Sequence, residues 1–250
     1  MKTKVVILLL MLAAGLAQKD ATAQKTDFWE GIEAFDGPTD VNPILAAQID
    51  FYFDHFVSSL PDSITLEINR LIDRTGENTD LRDFILWHLL NKYQHPQYMT
   101  QDQVFVWLYD QYFSQLEIKD LNEDNLSLIR EKAKRLRRLA LFNTAPDFRW
   151  KDFEGLQAIG SPYTVLFFYD HNCDLCQQEL RDLDSVASQH PDITVVAIDL
   201  SAQDVDDVEG LDRIHEAYDI EASPLLYVLD SEKRIIAKKI RAMQIGLIIP

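Results

Sequence analysis

The chain has 250 residues, enough for one large domain or two small ones. Its hydrophobic fraction of 47% and charged fraction of 26% are globular values, which exclude wholesale disorder, collagen and an extended coiled coil. The net charge of -17 opposes contact with a phosphate backbone, so we expect no nucleic-acid partner. The two cysteines are too few for a disulfide framework but sufficient for one site.

Residues 1–23 have the pattern of a secretory signal peptide. Two lysines precede an apolar run over residues 5–16, and the small residues of 21–23 fit a cleavage site. Cleavage after Ala17 and an uncleaved anchor are alternatives, although the run is short for a membrane span of about 20 residues. No cysteine follows the run, so we expect a protein of the periplasm or cell envelope that is not a lipoprotein and has no membrane span after cleavage. Disulfides persist in that compartment.

Residues 24–141 are predicted to form a helical domain. Apolar residues recur every three or four positions there, which is the period of amphipathic helices. The first three helices are predicted over residues 43–60, 61–75 and 80–93. A capping box of Thr100 and Gln103 predicts the start of a fourth. A last helix is predicted to begin at Asn122 or Asn125.

This last helix contains a basic segment from Arg130 to Arg138, in an otherwise acidic chain. A solvated or salt-bridged helix face is the simpler interpretation of such a charge run. The alternative is docking onto an acidic partner surface.

Residues 142–250 are predicted to form an α/β domain. Short apolar runs rich in β-forming residues alternate with helical stretches, which indicates a βαβ sheet with strands buried on both faces. Strands are predicted over residues 164–169, 193–198, 225–229 and 235–240, with helices over 176–189 and around 211–218.

Both cysteines lie at the end of the first predicted strand, in Cys173-Asp174-Leu175-Cys176. A C-x-x-C pair beside a βαβ pattern indicates a redox motif. Cys173 is predicted at a helix N-terminus, where free N–H groups and the macrodipole favour a thiolate. Cys176 is one turn further in, more buried, and near enough to close a disulfide after Cys173 has attacked.

Three other interpretations of the pair remain open. A structural disulfide would close a very short loop and restrain the unfolded chain little. Zinc needs about four ligands, and only His171 lies nearby in sequence. Copper bound by the two thiols and His171 is the third. We expect no metal and no cofactor.

Ser223-Pro224 directly precedes the third predicted strand. An ordinary strand start permits a proline there. A cis peptide bond would bring a backbone edge beside the cysteine pair, but only about 5–6% of X–Pro bonds are cis, so spacing alone does not decide.

Residues 142–240 resemble the thioredoxin-like domains of the bacterial envelope, the TlpA-like group of thiol–disulfide oxidoreductases related to alkyl hydroperoxide reductases and thiol-specific antioxidants. The motifs that carry the resemblance are Ala145–Phe148 with the turn Asp152–Gly155, then Phe167–Cys176, then Ser223–Asp230. The helices before them resemble a domain of unknown function that precedes such domains in Bacteroidetes.

The resemblance implies that Cys173 is the nucleophile, Cys176 the resolving thiol, and Pro224 the cis-proline of a substrate groove next to Ser223. It also implies disulfide-containing envelope proteins and an upstream redox protein as partners. A protein interaction module, with the helices binding a partner and the thioredoxin-like half non-catalytic or handling a metal, is the alternative, because a fold alone does not choose a function.

This sequence departs from the family at several places. Asn172 stands where the family has tryptophan, and Asp174-Leu175 replaces the common Gly-Pro. Phe167 stands at about the position where thioredoxin has a buried acid. Asp170 stands three residues before Cys173, where a peroxiredoxin needs a threonine. Little sequence follows the last predicted strand, so we expect the helical domain to cover the sheet face that a terminal helix normally covers.

The charges around Cys173 suggest a redox direction. Asp170 and Asp174 should oppose its thiolate, whereas the helix dipole and a protonated His171 should favour it. We therefore predict a milder thiol acid than in strong oxidases, and a reducing or isomerising activity.

Overall fold

The computed structural model describes residues 28–32, 42–151, 153–201 and 208–249. The predicted signal peptide lies outside the described residues. The chain divides into two compact units between Leu89 and Leu90. In the part of the chain that the structure describes, no helix combines the length and the apolar composition needed to cross a bilayer.

The first unit contains the helices α1 (Pro43–His55) and α2 (Pro61–Asp73) and most of α3 (Thr79–Gln94). Asn42 caps α1, since its Oδ1 accepts from the Leu45 N–H at 3.0 Å. A proline at the first position of α1 and of α2 suits a helix start, because the missing N–H has no partner there. Each helix buries an apolar face in the core of this unit, with Leu45, Ile49, Phe53, Ile64, Ile68, Leu71, Leu81, Ile85 and Leu89. The three predicted helices are confirmed, although α1 ends at His55 and not at residue 60 as predicted.

The second unit begins with further helical structure. Helix α4 (Asp102–Leu108) continues into the π-helical turn Tyr109–Phe113, and α5 (Glu123–Arg138) follows. Asn122 caps α5, its Oδ1 accepting from the Asn125 N–H at 2.8 Å, so the first of the two predicted starts is right. The predicted division into a helical and an α/β domain near residue 141 follows the change in secondary structure and stays a prediction.

The capping box predicted from Thr100 and Gln103 is wrong. Helix α4 begins at Asp102, and no side-chain hydrogen bond caps that end. The Gln103 amide donates to the Leu136 carbonyl of α5 at 3.3 Å and to Asp102 Oδ1 at 3.2 Å. The Gln103 side chain thus makes a tertiary contact with α5 and does not cap α4.

A mixed four-stranded sheet follows the helices, which confirms the predicted α/β class. Its strands are β1 (Tyr163–Tyr169), β2 (Ile193–Asp199), β3 (Leu225–Leu229) and β4 (Ile235–Lys238), in the order β2-β1-β3-β4. Strand β1 is parallel to β2 and antiparallel to β3, and β3 is antiparallel to β4. The parallel pair is joined by α6 (Asp174–Gln189), and α7 (Val208–Ala217) leads from β2 to β3.

The sheet is covered on both faces. Phe168 of β1 lies in an apolar cluster with Tyr218 and Tyr227, and Phe167 lies in a second cluster on the opposite face. This second face is covered by α6 and by a 3-10 helix, Ala242–Leu247. The helical domain was expected to cover this face, and that expectation is wrong for the most part. Among the described residues, Met99 is the one residue of the predicted helical domain that packs against this cluster.

Candidate active site

The C-x-x-C segment lies where β1 passes into α6. Cys173 is the N-cap of α6, in extended backbone geometry, and its Sγ accepts from the Cys176 N–H at 3.2 Å. Both cysteines are free thiols; Cys173 is partly exposed and Cys176 is fully buried. A sulfur that accepts an N–H at a helix N-terminus is placed where a thiolate is stabilised. Cys173 is therefore the accessible thiol of the pair, and Cys176 is the buried one.

The surroundings of Cys176 disfavour the ionised form of its thiol. Burial, together with its hydrogen bond to Cys173, raises the pKa of the Cys176 thiol. A hydrogen bond from the Ser223 side chain acts in the opposite direction, because a donor stabilises the thiolate. Cys176 is therefore a thiol that stays protonated until a partner or higher pH removes its proton.

The predicted groove residues lie beside the cysteine pair. The Ser223–Pro224 peptide bond is cis, as the family resemblance implies, and β3 begins at the next residue. The hydrogen bond between Ser223 and Cys176 connects this loop to the buried thiol. The structure thus brings together three of the predicted site residues, Cys173, Cys176 and Ser223, with Pro224 adjoining them.

The acidic residues flanking Cys173 differ in their roles. Asp170 shapes the loop, because its Oδ1 accepts from the Asn172 N–H at 2.8 Å and its carbonyl accepts from the Cys173 N–H at 3.1 Å. Asp174 is exposed at the first position of α6, where a negative charge suits the helix dipole. Asp170 is therefore a loop-shaping residue as well as a charge near the thiol.

His171 contacts two residues that the sequence analysis missed. Its Nδ1 lies 3.2 Å from Asp199 Oδ2 and also contacts the Ser201 hydroxyl. Burial alone would raise the pKa of Asp199, but hydrogen bonds from Ser201 and His171 lower it overall. The parallel pairing of two predicted strands could have indicated this contact. Because β1 and β2 are parallel, with Tyr169 opposite Asp199, their carboxyl ends lie at the same edge of the sheet.

Phe167, which the family resemblance sets near the buried acid of thioredoxin, lies in an apolar cluster. Phe167 is fully buried, and its ring stacks on Tyr169 with centroids 5.5 Å apart. The buried acid nearest in sequence is Glu179 on α6, which accepts from the Ala242 N–H at 2.7 Å and pairs with Arg241. These contacts engage its carboxylate in holding the 3-10 helix against α6.

The motif Ala145–Phe148 serves the fold. Asp147 Oδ1 accepts from the N–H groups of Phe148 at 3.0 Å and of Leu156 at 2.7 Å. Gly155 has φ +119, and a Cβ there would lie 3.0 Å from Asp147 Oδ1, so glycine is required by both conformation and space. This motif closes the loop before β1.

A metal site is one of the alternatives left open for the cysteine pair. In the part of the chain that the structure describes, no group of three or more histidine, cysteine, aspartate or glutamate side chains could hold an ion. His171 is a candidate ligand in the zinc and copper interpretations, and its Nδ1 contacts Asp199.

Comparison with known proteins supports the fold. No protein-family profile matches the sequence, and no curated protein matches it significantly. A solved structure of a thioredoxin-like protein from Bacteroides caccae is 17% identical, with a TM-score of 0.67, and the match covers 88% of each chain. Since residues 142–250 are less than half of the chain, that match includes much of the helical region as well.

Two further solved structures match a smaller part of the chain. One is a domain of a possible thiol-disulfide isomerase from Cytophaga hutchinsonii, 28% identical, covering 43% of this chain and 89% of that one with a TM-score of 0.36. The other is a thiol:disulfide interchange protein from a Bacteroides species, 19% identical, covering 44% and 88% with a TM-score of 0.38. On the long match above, together with the sheet and helix order, the chain has the thioredoxin-like fold.

Proposed function

We propose that this protein is a thiol–disulfide oxidoreductase in which Cys173 attacks and Cys176 resolves. The observation that carries the proposal is the asymmetry of the pair: one thiol is partly exposed at a helix N-terminus, and the other is buried three residues further along the chain. This is the arrangement that two-step exchange requires, because only the first thiol has to meet a substrate.

The reaction balances within the dithiol. The Cys173 thiolate attacks one sulfur of a substrate disulfide, forming a mixed disulfide and releasing the first substrate sulfur as a thiolate that takes up a proton. Cys176 then loses its proton and attacks Cys173 Sγ, which forms the Cys173–Cys176 disulfide and releases the second substrate thiol. Two electrons pass to the substrate, and an external dithiol donor must reduce the pair again.

Location, partners and direction complete the proposal. The signal peptide pattern supports the periplasm or cell envelope, with disulfide-containing envelope proteins as substrates and an upstream dithiol protein as reductant. The raised pKa of Cys176 and the acids near Cys173 support a reducing or isomerising direction. A measured reduction potential as oxidising as about -120 mV would contradict this direction.

Insulin reduction with a dithiol donor tests the activity. Wild type should accelerate the precipitation of the reduced B chain, and Cys173→Ser and Cys176→Ser should each lose this acceleration. Ser188→Ala, an exposed change further along the same helix, is the matched control and should retain it. A wild type that accelerates nothing, or a Cys173→Ser variant that is fully active, would leave the alternative of an interaction protein.

A further inference from the structure

The loop between α7 and β3 holds two acidic residues close to the cis-proline. Asp219 and Glu221 lie five and three residues before Pro224, and Ser223, which contacts Cys176, lies between Glu221 and Pro224. Asp219 is almost completely buried, with 4% of its surface exposed. A carboxylate buried to this degree needs cations or donors around it, since desolvation of an unpaired charge is costly.

Those cations come from helix α5. Lys132, itself buried, places Nζ 3.4 Å from Asp219 Oδ1 and also contacts Glu221 Oε1. Arg135, one turn further along α5, places Nε 3.5 Å from the same Asp219 oxygen. Two basic side chains of one helix thus hold two acidic side chains of the cis-proline loop.

Three other groups hold the same region. Lys239, directly after β4, places Nζ 3.3 Å from Asp219 Oδ2. His95, just after α3, places Nδ1 3.3 Å from Glu221 Oε2. Arg138 donates to the Glu216 carbonyl near the end of α7 at 3.3 Å. The loop and the end of α7 before it are therefore held from several elements.

This arrangement decides the interpretation of the basic segment on α5. Lys132 and Arg135 face acids of the same chain, and Lys134 pairs with Glu131 on its own helix at 2.7 Å. The salt-bridged interpretation is confirmed for these residues. Two lysines of this helix can therefore be compared as variant and control. Lys132 contacts the cis-proline loop, whereas the exposed ammonium group of Lys134 pairs within its own helix.

We infer that Lys132, assisted by Arg135, is a positioning residue that fixes the Ser223–Pro224 loop against the cysteine pair, so that α5 is part of the thiol-exchange machinery. This inference deepens the proposed function and rests on it. The physical route runs from Lys132 through Glu221 and Asp219 to the loop backbone, then through Ser223 to Cys176. Loss of Lys132 removes the cation that contacts both acids, so Asp219 keeps Arg135 and Lys239, Glu221 keeps His95, and the two acids lose the contact they share.

The most direct test uses Cys176 as a reporter and needs no turnover. In a Cys173→Ser background, the titration of Cys176 is followed by the ultraviolet absorbance of its thiolate. Lys132→Met should move the titration to higher pH, in the direction of Ser223→Ala, because both weaken the donor that stabilises the thiolate. Lys134→Met, the matched control, should leave it unchanged.

A second variant keeps the test decisive if Lys132→Met does not fold. Glu221→Gln removes one side of the same contact at a site whose side chain is about one-third exposed, so it should fold and move the titration in the same direction. The inference is overturned if the folded variants titrate like Lys134→Met. It is also overturned if Ser223→Ala leaves the titration of Cys176 unchanged, because the proposed route then does not exist.

Kinetics separate this inference from the proposed function. Lys132→Met should raise KM for insulin about fivefold with kcat little changed, since a displaced groove weakens substrate binding before chemistry. The Lys132→Met/Glu221→Gln double variant should raise KM no more than the single variant with the larger effect, as expected for two residues that act through one contact. A fall in kcat at unchanged KM would contradict positioning of the groove. An inactive wild type would refute the proposed function, while the titration would still test the inference.

Discussion

The helices of the first unit and those of the second are stabilised by different interactions. In the first unit, α1 to α3 pack apolar and aromatic side chains, and the buried Tyr52 hydroxyl donates to Glu67 at 2.9 Å. In the second unit, α4 and α5 meet the α/β part through buried charges: Lys132 of α5 contacts Asp219, and Asp102 of α4 pairs with Lys238 of β4. Helices with similar sequence patterns thus have different roles, one set forming an apolar bundle and the other supporting the sheet edge and the cis-proline loop.

The largest expected effect comes from the ion pair between Lys238 of β4 and Asp102 of α4. Their charged groups are 2.5 Å apart, and both side chains are 1% exposed. Burial lowers the pKa of Lys238, while Asp102 counteracts that shift. Lys238→Met should lower the free energy of unfolding by about 3–5 kcal/mol, because Asp102 stays buried without its cation.

Urea denaturation measures this loss, and a double variant supplies the control. Lys238→Met/Asp102→Leu removes both charges and should recover most of the lost stability, since an apolar pair can replace a buried ion pair. If the double variant is as unstable as the single one, the contact between α4 and β4 is not held by the charge pair.

An apolar truncation tests the first unit in the same way. Ile68 of α2 is fully buried, so Ile68→Ala should lower the free energy of unfolding by about 2–5 kcal/mol through lost burial and a residual cavity. Leu66 lies on the same helix and is 51% exposed, so Leu66→Ala should change stability by less than about 0.5 kcal/mol. Equal losses in urea denaturation would contradict the assigned core of this unit.

The buried polar contact of the first unit should matter less than the ion pair of the second. Tyr52→Phe removes the hydroxyl that donates to Glu67 and should cost about 1–2 kcal/mol. Glu67 keeps Arg70, whose Nη1 lies 2.7 Å from its Oε1, so its charge is not left alone. A loss as large as that of Lys238→Met would remove the distinction between the two sets of helices.

The smallest effect concerns the resolving step. Thiolate is the nucleophile, so release of the second substrate thiol should accelerate as pH rises toward the raised pKa of Cys176. Ser223→Ala raises that pKa further and should slow release about fivefold at mildly alkaline pH, the effect of losing about one hydrogen bond. Stopped-flow measurement across pH checks this, with Ser188→Ala as the control. A profile that does not move would contradict the contact between Ser223 and Cys176.

Local signals predicted much of this molecule. Apolar runs predicted the strands, and the position of Cys173 after a buried strand predicted its place at the start of a helix. The cis bond at Pro224 came from a family resemblance, because spacing alone did not decide it. The strands and the position of Cys173 depend on residues close together in the chain, and the cis bond belongs to a motif of the family that the sequence resembles.

Features that depend on distant residues were missed. Gln103 was assigned to a cap, but a carbonyl of α5 binds its amide. Asp199 was overlooked because only the parallel pairing of β1 with β2 brings it to His171. The basic segment of α5 was visible, yet its partners Asp219 and Glu221 lie more than 80 residues away, so sequence could not name them.

The central claim is the division of roles between Cys173 and Cys176, and disulfide trapping tests it most directly. The Cys176→Ser and Cys173→Ser variants are each incubated with glutathione disulfide, and peptide mapping by mass spectrometry locates the adduct. A stable mixed disulfide on Cys173 in the first variant, with little adduct on Cys176 in the second, is the predicted result. An adduct that forms as readily on Cys176, or none on Cys173, would contradict the account.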